Sequence, residues 1–162
     1  MTSLKVGDRA PDISAKTNQG TQFVLSEQTG LCTVVYFFPK AFTPHCTRET
    51  QTFSDNFNEL LLAGANLVGV STDEFDTQCR FAGELHVPFP LIADSDKRIA
   101  KAYDVLWPLV GLARRYTFVI GENQMIEAIF HHEFDVQQHR DNVLTFVNAR
   151  FESQRPPIVR DA

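Results

Sequence analysis

The apolar positions of the chain fall into short continuous runs that alternate with stretches of helical spacing. Residues 33–38 are all apolar, β-branched or aromatic, which is typical of a strand buried on both faces. Residues 65–71 and 116–120 predict two further buried strands, and residues 87–93 run extended into another. Residues 121–124 predict a hairpin turn into a strand at 125–130. These runs predict the strands of one central sheet.

Between these strands, apolar residues recur at the spacing of one helical face. After the strand at 33–38, four apolar residues follow at i, i+4, i+7 and i+8, with Pro44 and Thr47 marking the start of the helix and Gly64 its stop. The inward faces of the other predicted helices are Phe75, Cys79 and Ala82 after a cap at Thr72 or Asp73; Ile99, Ala100 and Tyr103 after a cap at Ser95 or Asp96; and Val136, Val143, Leu144, Val147 and Phe151 in a helix over 136–151. The four apolar residues of the helix that follows the strand at 33–38 are Phe53, Phe57, Leu60 and Leu61.

Strands that alternate with helices and end in a hairpin and a helix predict an α/β fold with a central mixed sheet flanked by helices. Residues 1–30 predict an irregular arm with a hairpin connection at 19–21 and a short strand at 23–25. Residues 1–162 show no linker or internal repeat, so we expect a single domain, with residues 155–162 as a loose tail.

Cys46 is placed where the apolar strand has ended and the first helix begins. Pro39 ends the strand, and Cys46 falls in or just before the first helical turn. Unpaired backbone N–H groups and the positive end of the helix dipole favour an anion at that position. A thiolate is such an anion, and it is the nucleophilic form of cysteine. The pattern therefore predicts a reactive cysteine, with Lys40 and Arg48 as nearby cations.

Composition and charge narrow the possible partners. A formal net charge of −5 and the absence of a basic patch argue against nucleic acid or an anionic membrane. The first residues lack a secretory signal and no apolar run reaches the length of a membrane span, so we expect a cytoplasmic protein. Three cysteines do not form a secreted disulfide framework. His131, His132 and His139 have no closed ligand spacing, so we expect surface or helix-flanking histidines and no metal site.

The motif around Cys46 resembles that of a known family. Pro39, Thr43 and Cys46 match the Pro-x-x-x-Thr-x-x-Cys signature of the peroxiredoxins, and Arg115 matches that family's strand arginine. The similarity extends from about residue 6 to 147. The form of the motif and the segment 89–94 most resemble the bacterioferritin-comigratory-protein subgroup, also called PrxQ. The resemblance implies a thioredoxin-like fold with the peroxiredoxin N-terminal extension.

The resemblance also implies a function and the residues that perform it. The chain is expected to reduce hydrogen peroxide and organic hydroperoxides through a sulfenic acid at Cys46, without a cofactor, and to be recycled by thioredoxin or another thiol donor. Thr43, Arg115 and the backbone N–H groups around residues 44–46 would stabilise the transition state, and Pro39 would shield the sulfur. Glu49 would orient the arginine.

Two positions depart from the family pattern. His45 replaces a small residue and is either a titrating neighbour of the cysteine or a bulky rim of its pocket. Gln51 stands where many subgroup members carry the second, resolving cysteine. Cys79 is the best substitute, and its alternatives are a core position and a one-cysteine mechanism with an external thiol. A Cys46–Cys79 disulfide would need local unwinding of the first helical turn.

Each candidate site residue can also be explained without a role in catalysis. Arg115 is otherwise a surface cation beside Arg114, and Glu49 a first-turn glutamate favoured by the helix dipole. Thr43 otherwise caps the helix or closes the turn before it. Cys32, at the start of a buried strand, is expected in the core. The alternative functions are a non-catalytic redox sensor or binding protein and a thiol–disulfide oxidoreductase, which the absence of Cys-x-x-Cys disfavours. The sequence leaves the preferred peroxide open, and monomer and homodimer stay equally possible.

Overall fold

In the computed structural model, which describes residues 2–133 and 135–154, the central strands form one mixed sheet. These strands are β3 (Cys32–Phe37), β4 (Ala65–Ser71), β5 (Leu91–Ala93), β6 (Tyr116–Gly121) and β7 (Ile126–His131), in the order β5-β4-β3-β6-β7. The strands β3, β4 and β5 run parallel, whereas β6 is antiparallel to both β3 and β7. The predicted N-terminal hairpin is present as β1 (Ser14–Lys16) and β2 (Gln22–Val24). The predicted α/β class with a mixed sheet is confirmed.

The helix expected after β3 is divided into two. They are α1 (Pro44–Asp55) and α2 (Phe57–Leu62), and Asn56, with φ −108° and ψ 10°, separates them. The Asn56 side-chain amide donates to the carbonyl of Thr52 at 2.7 Å, so it competes with the helical hydrogen-bond pattern there. Because of this break the single-face prediction was wrong at Leu61, which is 46% exposed.

The next helix, α3 (Phe75–Glu84), buries Ala82 as predicted but not the other two residues predicted to face inward. Its buried residues are Gln78, Phe81 and Ala82, whereas Phe75 is 38% exposed and Cys79 is half-buried. Gln78 is tolerated inside because its amide donates to Ser71 Oγ and to the Ile92 carbonyl. The periodicity of apolar residues missed this face because its first member is polar.

The remaining helices are α4 (Arg98–Ala102) and α5 (Val136–Gln154). Helix α4 begins later than the predicted cap at Ser95 or Asp96, because the Asp94 carboxylate accepts the N–H groups of Ile99 and Ala100. The predicted inward residues of α4 are buried. Helix α5 agrees with the predicted C-terminal helix and buries Val136, Val143 and Val147.

The sheet separates two apolar clusters, and successive side chains of β3 pack alternately into one and the other. Val34 and Tyr36 face the cluster under α1, α2, α3 and α5, while Val35 and Phe37 face the cluster under α4 and the N-terminal arm. No helix in the described part of the chain is long and apolar enough to cross a membrane. The predicted loose tail at 155–162 lies outside the described residues, and the single-domain extent stays a prediction.

Candidate active site

Cys46 lies in the first turn of α1, directly beyond the end of β3, as the sequence predicted. Its side chain belongs to the apolar cluster under α1 and the residue is only 1% exposed, yet it also lines an open cavity. The first N–H groups of a helix have no intrahelical acceptor, so they favour a negative sulfur here. Pro44 has no N–H, and the backbone donors expected at 44–46 therefore reduce to those of His45 and Cys46.

The loop before α1 is fixed to the neighbouring strand by one carboxylate. Asp73, which follows β4, accepts the backbone N–H of Ala41 at 2.8 Å and the hydroxyl of Ser71 at 2.6 Å. Phe42 has φ +67°, a left-handed conformation that costs a bulky residue about 1–3 kcal/mol. The Phe42 ring packs edge-on against Phe81 of α3 at 5.2 Å between centroids. These contacts impose the loop conformation that presents Thr43 and Cys46.

Arg115, directly before β6, lies against the Cys46 sulfur. Its Nη2 is 3.4 Å from Cys46 Sγ, its Nη1 donates to Glu49 Oε1 at 2.5 Å, and its Nε donates to the Glu133 carbonyl at 2.9 Å. The residue is 2% exposed, so the interpretation as a surface cation is wrong. Burial by itself lowers the pKa of Arg115, but the Glu49 carboxylate and the Cys46 sulfur outweigh it and raise the pKa overall. The guanidinium therefore stays charged beside the sulfur.

Glu49 is a buried partner of this guanidinium. It lies in the second turn of α1 and is 1% exposed, so the explanation as an exposed first-turn glutamate is wrong. Burial raises the pKa of the Glu49 carboxyl to about 7, although Arg115 opposes that shift. Thr50, the next residue, forms a hydrogen bond of 3.0 Å with the Tyr36 hydroxyl, which fixes α1 on β3.

Thr43 closes the turn before α1 rather than capping the helix with its side chain. Its hydroxyl donates to the Lys40 carbonyl at 2.7 Å, and no side-chain cap hydrogen bond is formed. A hydroxyl has one proton and two lone pairs, so the oxygen of Thr43 still has acceptor capacity. Thr43 lines the same cavity as Cys46.

The cavity has a volume of about 250 Å³ and brings the predicted residues together. It is lined by Pro39, Thr43, His45, Cys46, Trp107, Arg115 and Glu133. The contributions of Trp107 and Glu133 were not predicted from the sequence. Trp107 lies in the loop before β6, where the Arg114 guanidinium stacks on its ring at 4.6 Å. No local motif identifies either residue, because each reaches the cavity from a different part of the fold.

The predicted surface location of the histidines was wrong for His139. His139 is fully buried on α5, with Nε2 2.5 Å from Thr117 Oγ1 and Nδ1 3.0 Å from His132 Nδ1. Its spacing from Val143 and Val147, at i+4 and i+8, is the signal that could have placed it on the buried face. His131 instead stacks on Tyr116 at 4.1 Å between centroids. Within residues 2–133 and 135–154, no three His, Cys, Asp or Glu side chains are grouped as metal ligands.

The other two cysteines lie outside the cavity. Cys79 is a half-buried free thiol on α3, about 100° around the helix from the centre of its buried face. Cys32 is a buried free thiol, and burial raises the pKa of that thiol to about 11. Of the three cysteines, Cys46 is thus the one placed in the cavity beside a guanidinium.

The chain is similar to known proteins over most of its length. Residues 6–129 match the AhpC/TSA family model. Peroxiredoxin Bcp of Escherichia coli (strain K12) is 33% identical over 153 residues, covering 91% of this chain and 97% of the relative. The crystal structure of peroxidoxin BcpB from Mycobacterium tuberculosis has a TM-score of 0.83 at 31% identity, covering 94% of this chain and 99% of that chain.

A third similarity comes from the bacterioferritin comigratory protein of Xanthomonas campestris, solved with trapped intermediate and ligand complexes in work on its alkyl peroxide reduction. It has a TM-score of 0.80 at 28% identity and covers 93% of this chain and 99% of that chain. The neighbours share the thioredoxin-like fold of the peroxiredoxins, as the sequence predicted. The chain therefore belongs to the AhpC/TSA family, within its peroxiredoxin Q and Bcp group, and is a thiol-dependent peroxidase.

Proposed function

We propose that this peroxidase reduces hydrogen peroxide and organic hydroperoxides with the Cys46 thiolate as nucleophile. The observation that carries the proposal is the 3.4 Å contact between Arg115 Nη2 and Cys46 Sγ at the wall of an open cavity. The sulfur attacks the terminal peroxide oxygen, an S–O bond forms and the O–O bond breaks. Two electrons pass from sulfur to oxygen, and the departing alkoxide or hydroxide takes a proton from water. The products are Cys46 sulfenic acid and an alcohol or water.

The residues around the sulfur have distinct roles in this step. The Arg115 guanidinium and the first N–H groups of α1 stabilise the negative charge that moves between the two oxygens. The Thr43 O–H donates a hydrogen bond to the Lys40 carbonyl, so the Thr43 oxygen accepts the O–H of the hydroperoxide. Pro39 and Trp107 give the cavity an apolar wall that shields the sulfenic acid and suits an organic substituent. His45 forms part of the rim.

We expect Thr43→Val to lower the second-order rate of Cys46 oxidation by about 10²-fold, because it removes one preorganised polar group at the peroxide. Thr43→Ser keeps the hydroxyl and is the matched control, with a rate within a few-fold of the wild type. Stopped-flow oxidation by hydrogen peroxide gives both rates. Equal rates for the valine and serine variants would exclude the proposed contact with the peroxide.

The oxidised enzyme is recycled by thioredoxin or another thiol donor, with the protein acting as a monomer or homodimer. A reducing compartment, for which we propose the cytoplasm, supplies such a donor. Steady-state peroxide consumption with a thioredoxin system tests this function. An enzyme consumes many equivalents of peroxide for each chain, whereas a redox sensor consumes one and stops. A single equivalent with every thiol donor offered would overturn the proposal.

The resolving step has two possible routes, and the position of Cys79 makes them distinguishable. Cys46 is buried and Cys79 lies on the flank of α3, so a disulfide requires local unwinding of the first turn of α1 and displacement of Cys79. If Cys79 resolves, mass analysis after one equivalent of peroxide shows a Cys46–Cys79 linked peptide. Cys79→Ser then halts turnover by thioredoxin after one cycle. A stable sulfenic acid with free Cys79 in the wild type excludes this route and leaves a one-cysteine mechanism.

A further inference from the structure

A buried histidine lies behind the ion pair that holds Arg115. Glu49 binds the guanidinium with Oε1, while its Oε2 is buried and has no hydrogen-bond partner in the described part of the chain. Nε2 of His139 lies 3.7 Å from this oxygen. That separation is beyond a hydrogen bond, so the contact is electrostatic, while the same nitrogen lies 2.5 Å from Thr117 Oγ1. His139 therefore faces the one carboxylate oxygen that Arg115 leaves unpaired.

The surroundings of His139 determine where its proton lies. Burial lowers the pKa of His139 to about 3, and the charges of His132 and Arg115 act in the same direction, so the ring is neutral and has one N–H. When Nδ1–H of His132 donates across the 3.0 Å contact to His139 Nδ1, the single N–H of His139 is on Nε2. That N–H faces Thr117 Oγ1 and Glu49 Oε2.

We propose that His139 is a positioning residue for the peroxidase reaction. Its Nε2–H, oriented by His132, stabilises the ionised Glu49 carboxylate, and this carboxylate holds the Arg115 guanidinium against the Cys46 sulfur. The inference rests on the proposed function, because it assigns Arg115 a role at the reacting sulfur. In metal sites, the carboxylates that bind the metal are oriented in the same way by hydrogen bonds from neighbouring residues.

The charge of Glu49 is sensitive to this donor because the carboxyl titrates near neutrality. Its pKa of about 7 is set by burial, which raises it, and by Arg115, which lowers it, with Glu133 raising it further. Among the described residues, the ionisable groups that act on Glu49 are Tyr36, Arg115 and Glu133, and those that act on His139 are Arg115, His131 and His132. Cys46 acts on Arg115. Below pH 7 the protonated Glu49 loses its ion pair with Arg115, so the rate falls as pH falls through this value.

The test is the pH profile of Cys46 oxidation by hydrogen peroxide in the full chain. Trp107, the single tryptophan of the sequence, lines the cavity and reports the reaction by its fluorescence. We expect the Glu49-dependent limb of the wild-type profile near pH 7. His139→Phe removes the donor at similar ring size and moves this limb to higher pH by about one unit. His139→Gln, which restores an N–H donor, brings the limb back toward the wild-type position.

A double-mutant cycle separates this role from a structural one. Glu49→Gln removes the titrating group, so adding His139→Phe to Glu49→Gln produces no further movement of the profile. His86→Asn is the control, since His86 is exposed, and asparagine tolerates its positive φ. It leaves the profile unchanged. A limb that stays in place in His139→Phe, or that moves equally in both Glu49 backgrounds, overturns the proposal.

Two further measurements keep the test decisive. If His139→Phe does not fold, His132→Leu is the substitute, because His132 orients the His139 ring and is itself only half-buried. We expect it to move the limb of the pH profile in the same direction by a smaller amount. An unmoved limb in His132→Leu then overturns the proposal. The alkylation rate of Cys46 by iodoacetamide, measured over the same pH range, follows the sulfur without peroxide. If the wild type reduces no peroxide, the proposed function fails, while the alkylation profiles still show whether His139 acts through Glu49.

Discussion

Cys46→Ser abolishes peroxide reduction, and this is the largest effect that we expect from any single substitution. The serine hydroxyl stays protonated at neutral pH and is not oxidised by peroxide, so neither nucleophile nor sulfenic acid remains. Removal of a covalent nucleophile costs on the order of 10⁶-fold in other enzymes, so we expect at least about a 10³-fold loss of peroxide consumption, down to the background of the assay. Peroxide consumption with a thioredoxin system measures it.

Cys32→Ala is the matched control for this substitution. Cys32 is buried, and burial raises the pKa of its thiol to about 11, so it is protonated and inert at neutral pH. We expect the variant to reduce peroxide at the wild-type rate. Turnover that persists in Cys46→Ser and disappears in Cys32→Ala or Cys79→Ser would move the nucleophile to another cysteine and contradict the proposed mechanism.

Arg115→Met lowers the second-order rate with hydrogen peroxide by about 10²–10³-fold, the second largest effect. The substitution removes the donor 3.4 Å from the sulfur, and loss of one preorganised donor to developing charge costs that much in comparable sites. Stopped-flow oxidation of Cys46 measures the rate. Arg114→Met is the matched control, because Arg114 stacks on Trp107 and has no hydrogen bond to the sulfur. Its rate stays within about tenfold of the wild type.

The Arg115 result needs a check on folding. Breaking a buried ion pair by removing one partner costs about 3–5 kcal/mol, because Glu49 is left buried without its counter-ion. Adding Glu49→Gln to Arg115→Met removes both charges and restores part of the free energy of unfolding, while peroxide reduction stays low. If the double variant regained the wild-type rate, Arg115 would act on stability alone and its catalytic role would be excluded.

Much of the site is local in the chain, and for that reason the sequence predicted it. A buried apolar strand, a proline that ends it and a proline at the first helical position determine that Cys46 begins a helix at the carboxyl edge of the sheet. The family motif then predicted Thr43, Cys46 and Arg115, and the structure brings all three to one cavity. Steric and hydrogen-bond preferences of this kind act over a few residues, so they can be predicted from the sequence without knowledge of the fold.

Apolar periodicity did not predict the contacts that join distant segments, and only the family resemblance linked Glu49 to Arg115. Glu49 has the residue type of an exposed helical glutamate, and only the approach of Arg115 across the sheet explains its burial. His139 and Gln78 interrupt apolar faces, and each forms a side-chain hydrogen bond with a partner from another element. Cys79 was predicted to share the inward face of α3 with Ala82, but only Ala82 is fully buried.

The sequence by itself determined the α/β class, the place of the reactive cysteine at a helix start and the residues of its motif. The tertiary structure decided the burial of Glu49 against Arg115 and the presence of His139 behind it. The physical reason is that apolar periodicity indicates which face of a helix or strand is buried. The partner of a buried charge depends instead on where two elements that are distant in sequence come into contact. That meeting exists only in the folded chain.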